Sequence, residues 1–130
     1  MNWVVIVMLL AVVEFLIFGF LVGIARGKYK VAAPAVSGNP DFERYFRVQQ
    51  NTLEQLVIFL PSCWFFAQTV SPLWAAILGL VFILGRAMYA AGYVKQAEKR
   101  GAGFGLTFLP NIILLIGALI GAVKTGIAGS

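Results

Sequence analysis

Arg47, Asn51 and Glu54 fall at i, i+4 and i+7 in the stretch RYFRVQQNTLEQLVIFLP, Arg44 to Pro61. On an α-helix that spacing sets a guanidinium, an amide and a carboxylate along one stripe. Arg86, Tyr89 and Tyr93 repeat the geometry further along, and Arg100 continues it if the helix persists. Fixed guanidiniums grip carboxylates through directed, often bidentate hydrogen bonds. Glu54 could receive an ammonium, Asn51 or Gln49 could satisfy amides, and tyrosine hydroxyls add donors while their rings stay in oil. On adjacent antiparallel helices, the two stripes would suit a small zwitterionic peptide with several carboxylates better than a simple anion. A bland alternative uses the same residues: Glu54 and Arg86 form a buried ion pair pinning two helices, and the tyrosines anchor at the interface. For the whole set the binding site is favoured, because ionic groups near membrane depth are costly and exceed what packing requires.

The elements that must position these groups are apolar. The chain has 130 residues, enough for one domain, with 61% hydrophobic and only 12% charged residues. Mean hydropathy is +0.91, which excludes an ordinary soluble domain of this size. Four helical segments are expected, at about 3–25, 41–70, 73–98 and 104–124. The oily part of the second, Leu56–Val70, is too short to span. It becomes long enough only by starting near Asp41 and taking the polar run with it. The fold class expected is an all-α, four-helix membrane bundle. The first apolar stretch has no basic residues before it and no small-residue cleavage site after it, so it is expected to span rather than be removed.

The loops carry the charge. Arg26, Lys28 and Lys30 precede the turn residues Ser37-Gly38-Asn39-Pro40, and Lys95, Lys99 and Arg100 precede Gly101-Ala102-Gly103. The second loop is short and uncharged, so the second and third helices should form a tight hairpin. By the positive-inside rule the first and third loops face the cytoplasm and both termini face away from it. Net charge is +5, but the cations are not interleaved with aromatics as a nucleic-acid surface would require. With no histidine and one cysteine, Cys63, no metal site and no intrachain disulfide are expected. Gly117, Ala118, Gly121 and Ala122 mark a close helix contact, with a neighbouring subunit as one candidate. Cys63 and Met88 read as packing residues, and Pro61 and Pro110 as kinks. Glu14 stands alone in its span and reads as structural.

The run F-E-R-Y-F-R-V-Q-Q-N-T-L-E, Phe42 to Glu54, followed by G-R-A-M-Y-A-A-G-Y, Gly85 to Tyr93, resembles the MAPEG family, the membrane-associated proteins in eicosanoid and glutathione metabolism. The resemblance covers nearly the whole chain. It implies a homotrimer of four-helix subunits that binds glutathione as co-substrate between neighbours on the cytoplasmic side. The glutathione contacts it implies are Arg47, Gln49, Asn51, Glu54, Arg86, Tyr89 and Tyr93, with Arg26 reaching in from the next subunit and Arg100 near the thiol. Catalysis would rest on Arg100 and then Arg26. Two departures count against leukotriene synthesis. Gly27 follows Arg26 where that branch has a second arginine, and Gln55 follows Glu54 where it has a tyrosine.

The activity implied is glutathione transfer to lipophilic electrophiles, glutathione-dependent reduction of lipid hydroperoxides, or both. Partners would be a second copy of the chain, membrane lipids and the lipophilic substrate, with no nucleic acid. The compact chain, without an evident retention signal, points to a bacterial inner (cytoplasmic) membrane. One rival is a small multidrug exporter using Glu14, although it leaves both polar stripes unexplained. A non-catalytic, lipid-binding member of the same family is another.

Overall fold

The computed structural model describes residues 2–95 and 101–129. These form four helices and no strands: α1 (Asn2–Tyr29), α2 (Pro40–Thr69), α3 (Pro72–Lys95) and α4 (Gly101–Gly129). α1, α3 and α4 are each long and apolar enough to cross a membrane. α2 is the exception, because its first half carries the polar run.

Helix ends follow local chemistry. α1 stops where Lys30 takes φ +57°, and Val31 N–H donates back to Arg26 C=O at 3.0 Å. That six-to-one bond with a left-handed residue is a Schellman ending. The turn that follows needs Gly38 at φ +124°, a conformation that disfavours any side chain. Asn39 then caps α2: its Oδ1 accepts from Asp41 N–H at 2.9 Å and Phe42 N–H at 3.0 Å. Pro40 follows at the first helical position, where its missing N–H costs nothing. The hairpin between α2 and α3 is as short as the sequence implies. Val70 and Ser71 both donate to Phe66 C=O, and Ser71 Oγ accepts from Trp74 N–H at 3.2 Å to start α3.

α2 and α3 each touch all the other helices, so they form the centre of the bundle with α1 and α4 against them. One apolar cluster joins Val4 and Ala11 of α1, Leu56, Phe59 and Cys63 of α2, Ala75 and Phe82 of α3, and Leu114 of α4. Phe59 and Phe82 stack at its heart, with ring centroids 4.1 Å apart. A second cluster, toward the first and third loops, joins Phe18, Val48, Tyr89, Ala90 and Tyr93. Outward, Leu9, Leu16, Phe20 and Ile24 of α1 and Ile116, Leu119 and Ile120 of α4 are exposed. A helix apolar on every side belongs in lipid.

Gly117 and Gly121 of α4 make close contacts inside this chain. A Cβ on Gly117 would run into the Phe66 ring, and one on Gly121 would run into Thr69.

Candidate functional site

Glu54 follows Arg47 by seven positions on α2, a rise of about 10 Å along the helix axis. Between them Gln50 and Asn51 lie on the same face. Opposite, one turn apart on α3, stand Tyr89 and Tyr93, whose rings stack with centroids 5.5 Å apart. Together the six line a cavity of about 440 Å³. The two stripes are therefore brought together, on the end of the bundle where the first and third loops lie.

Arg47 and Glu54 are exposed at the rim and, among the described residues, form no ion pair within 4 Å. Asn51 keeps a buried Oδ1 with no hydrogen-bond partner. The cavity thus offers a cation, an anion and an amide acceptor that the described residues leave uncommitted. It is open on the side away from α3, since Arg47, Gln50 and Glu54 are all exposed.

Arg86, Gln49 and Arg26 lie elsewhere. Arg86 turns inward, fully buried, although it precedes Tyr89 by three positions. It donates through Nε (3.2 Å) and Nη2 (2.9 Å) to Thr52 Oγ1 of α2, and through Nη1 (3.4 Å) to Thr107 Oγ1 of α4. Its guanidinium carbon lies 4.3 Å from the centre of the Tyr89 ring. The Glu54–Arg86 ion pair of the structural alternative is not what the chain builds. Gln49 points away from the cavity, toward α1, its Nε2 3.0 Å from where a Cβ on Gly19 would stand. Arg26 is drawn into the first loop, donating to Ala35 C=O at 2.7 Å and Val31 C=O at 3.4 Å and lying 4.9 Å over the Phe42 ring. It borders a separate hollow of about 480 Å³ with Gly27 and Lys30. Arg100 lies outside the described residues.

Four further polar residues, Gln50, Thr52, Thr107 and Asn111, belong to the site or its supports. Gln50 shares the face of Arg47 and Glu54, at i+3 and i−4, and spacing alone would have preferred it to Gln49. Thr52 sits inside the polar run. Thr107 and Asn111 form an i, i+4 pair in an otherwise apolar segment, a stripe of the same kind as the one read on α2. Asn111 Nδ2 donates to Gln55 Oε1 at 3.0 Å and to Gln55 C=O at 3.2 Å. Gln55, one of the two departures, is thereby tied to α4. No cluster of His, Cys, Asp and Glu suited to a metal ion occurs among the described residues.

The MAPEG family model matches residues 4–120, a span containing every cavity residue. The chain belongs to the MAPEG family. Membership and three membrane-length helices together make it an integral membrane protein. It is similar to an uncharacterized protein of Synechocystis, 52% identical over 118 residues, 91% of this chain and 86% of that protein. Microsomal glutathione S-transferase 2 of Homo sapiens is 46% identical over 103 residues, 78% of this chain and 70% of the human protein. Leukotriene C4 synthase of Bos taurus is 36% identical over 80 residues, 58% of this chain and 51% of the bovine one.

Proposed function

We propose that this protein is a membrane-embedded glutathione transferase that offers a glutathione thiolate to lipophilic electrophiles. The observation carrying this reading is the cavity between α2 and α3, where Arg47, Asn51 and Glu54 meet Tyr89 and Tyr93. It is supported by similarity to proteins named microsomal glutathione S-transferase 2. The rise from Arg47 to Glu54, about 10 Å along the helix, is of the order of the reach of a short extended peptide. Arg47 would take a glutathione carboxylate, Glu54 the ammonium and Asn51 Oδ1 an amide N–H.

A thiol with a pKa of about 8.5 is mostly protonated at pH 7, and a neighbouring cation shifts it toward the thiolate. We assign that cation to Arg100, with Arg26 of an adjacent copy second. Because the cavity is open at its rim, a homotrimer would close it and bring Arg26 in from a neighbour. The electrophile would enter sideways from the bilayer. The thiol proton leaves to water, the thiolate sulfur bonds to the electrophilic carbon, and the bond from that carbon to its leaving group breaks, releasing chloride in the case of a chlorinated aromatic. With a lipid hydroperoxide, two glutathiones would instead be oxidised to the disulfide, releasing the alcohol and water. Four spans with loops one and three facing the cytoplasm of a bacterial inner membrane complete the proposal.

Calorimetry of the detergent-purified protein should show saturable glutathione binding. Arg47→Ala and Glu54→Ala should each weaken it roughly tenfold or more, as expected for charge-assisted contacts. Absence of binding to the unaltered protein would overturn the reading. Arg100→Ala should raise the pH at which thiolate absorbance appears, and an unchanged titration would remove Arg100 from the mechanism. Assays with a chlorinated aromatic and with a lipid hydroperoxide separate transfer from reduction.

A further inference from the structure

Each helix contributes one polar residue to a single level of the bundle. Glu14 lies between Ala11 and Phe18 of α1, and those two pack into different apolar clusters. Thr52 lies between Leu56 and Val48 of α2, and Arg86 between Phe82 and Tyr89 of α3, divided between the same two clusters. On α4, Thr107 sits between Gly103, whose Cβ would strike the Tyr89 backbone, and Leu114 of the inner cluster. A polar layer therefore separates the oily interior from the cavity.

Within that layer the guanidinium of Arg86 is wholly buried and faces three neutral groups: Thr52, Thr107 and the Tyr89 ring. None cancels its charge. The acid at this level is Glu14 of α1, whose Oε1 is buried with no hydrogen-bond partner among the described residues and which forms no ion pair within 4 Å with Arg86. A buried charge left alone is far more costly than one balanced nearby. Both threonines are themselves held, since Thr52 Oγ1 donates to Val48 C=O at 2.7 Å and Thr107 Oγ1 to Gly103 C=O at 2.9 Å. Arg86 thus joins the wall of the cavity that carries Asn51 and Glu54 to the wall that carries Tyr89.

We propose that Arg86 and Glu14 are a buried charge pair that sets the spacing of the cavity walls, and that neither touches the ligand. Arg86 is then a positioning residue and Glu14 its counter-ion. The part of this inference that concerns glutathione rests on the function proposed above; the charge pair does not.

Two measurements on the full chain in detergent test it, thermal unfolding without glutathione and calorimetry with glutathione, for E14Q, R86Q and E14Q/R86Q. Each single change strands one buried charge and should lower the unfolding temperature by roughly 10 °C. The double variant should be more stable than R86Q alone, and additive losses would overturn the pair. In calorimetry, E14Q should restore part of the glutathione affinity that R86Q loses. If Arg86 were a direct contact, no change at Glu14 could replace it, and an unrescued double variant would overturn the positioning role. Thr107→Val keeps every charge and deletes one acceptor far less disruptively. It should weaken glutathione binding roughly threefold to tenfold, and unchanged affinity would likewise overturn the positioning role. If the unaltered protein binds no glutathione, the functional reading fails, and the unfolding temperatures alone decide the pair.

Discussion

The two ends of the bundle are held together by different physics. Toward the α2–α3 hairpin, Phe59, Phe66, Phe82 and Leu114 interlock with no polar partner to satisfy. Toward the first and third loops, Thr52, Arg86, Thr107 and the tyrosines are fixed by directed bonds and by a ring under a guanidinium. In lipid, apolar packing gains little from excluding water, so the first end depends on close fit alone. The second end trades some of that fit for groups with defined directions, and directions are what a ligand reads. The division predicts that damage to one end should cost stability, and damage to the other should cost recognition.

The largest effect should come from Phe82→Ala. It removes half of the stacked pair and leaves a hole in the larger apolar cluster, with a loss of about 3–5 kcal/mol in unfolding free energy. Glutathione affinity of the protein that remains folded should barely change, and a large drop would blur the division. Gly103→Ala comes next and acts at the seam. The added methyl meets the Tyr89 backbone and forces α3 from α4, at a cost of about 1–3 kcal/mol. Unlike Phe82→Ala, it should weaken glutathione binding as well, because Tyr89 moves with the backbone. The smallest loss, about 1 kcal/mol, is expected of Gln55→Leu. It keeps the backbone acceptor of Asn111 and removes only the side-chain one. Denaturant unfolding in mixed micelles ranks all three.

Much of this arrangement was legible in the residues. The spacing of Arg47, Asn51 and Glu54 specifies a shared face, and the short loop at Val70 and Ser71 specifies that the face meets α3. Asn39-Pro40 fixed where α2 must begin. What spacing could not reveal was depth. Arg86 and Tyr89 are about 60° apart around α3, close enough to read as one stripe and far enough for one to enter the core while the other lines the cavity. Which way Arg86 turns depends on Thr107, more than twenty residues later, and on the glycine at 85 that lets α4 approach. A Cβ there would stand 2.7 Å from the Leu106 carbonyl carbon. Gln49 stays out of the α2–α3 cavity for a simpler reason: two residues beyond Arg47, it points to the opposite side of the helix, toward α1.

The brevity of the α2–α3 connection bears on how the chain enters a bilayer. Alone, the polar first half of α2 would hold that helix at the water boundary, and only α3 offers the oil to draw it across. Joined by two residues, the pair should insert as one unit during synthesis, and a chain ended after Ser71 should leave its last helix lying on the surface.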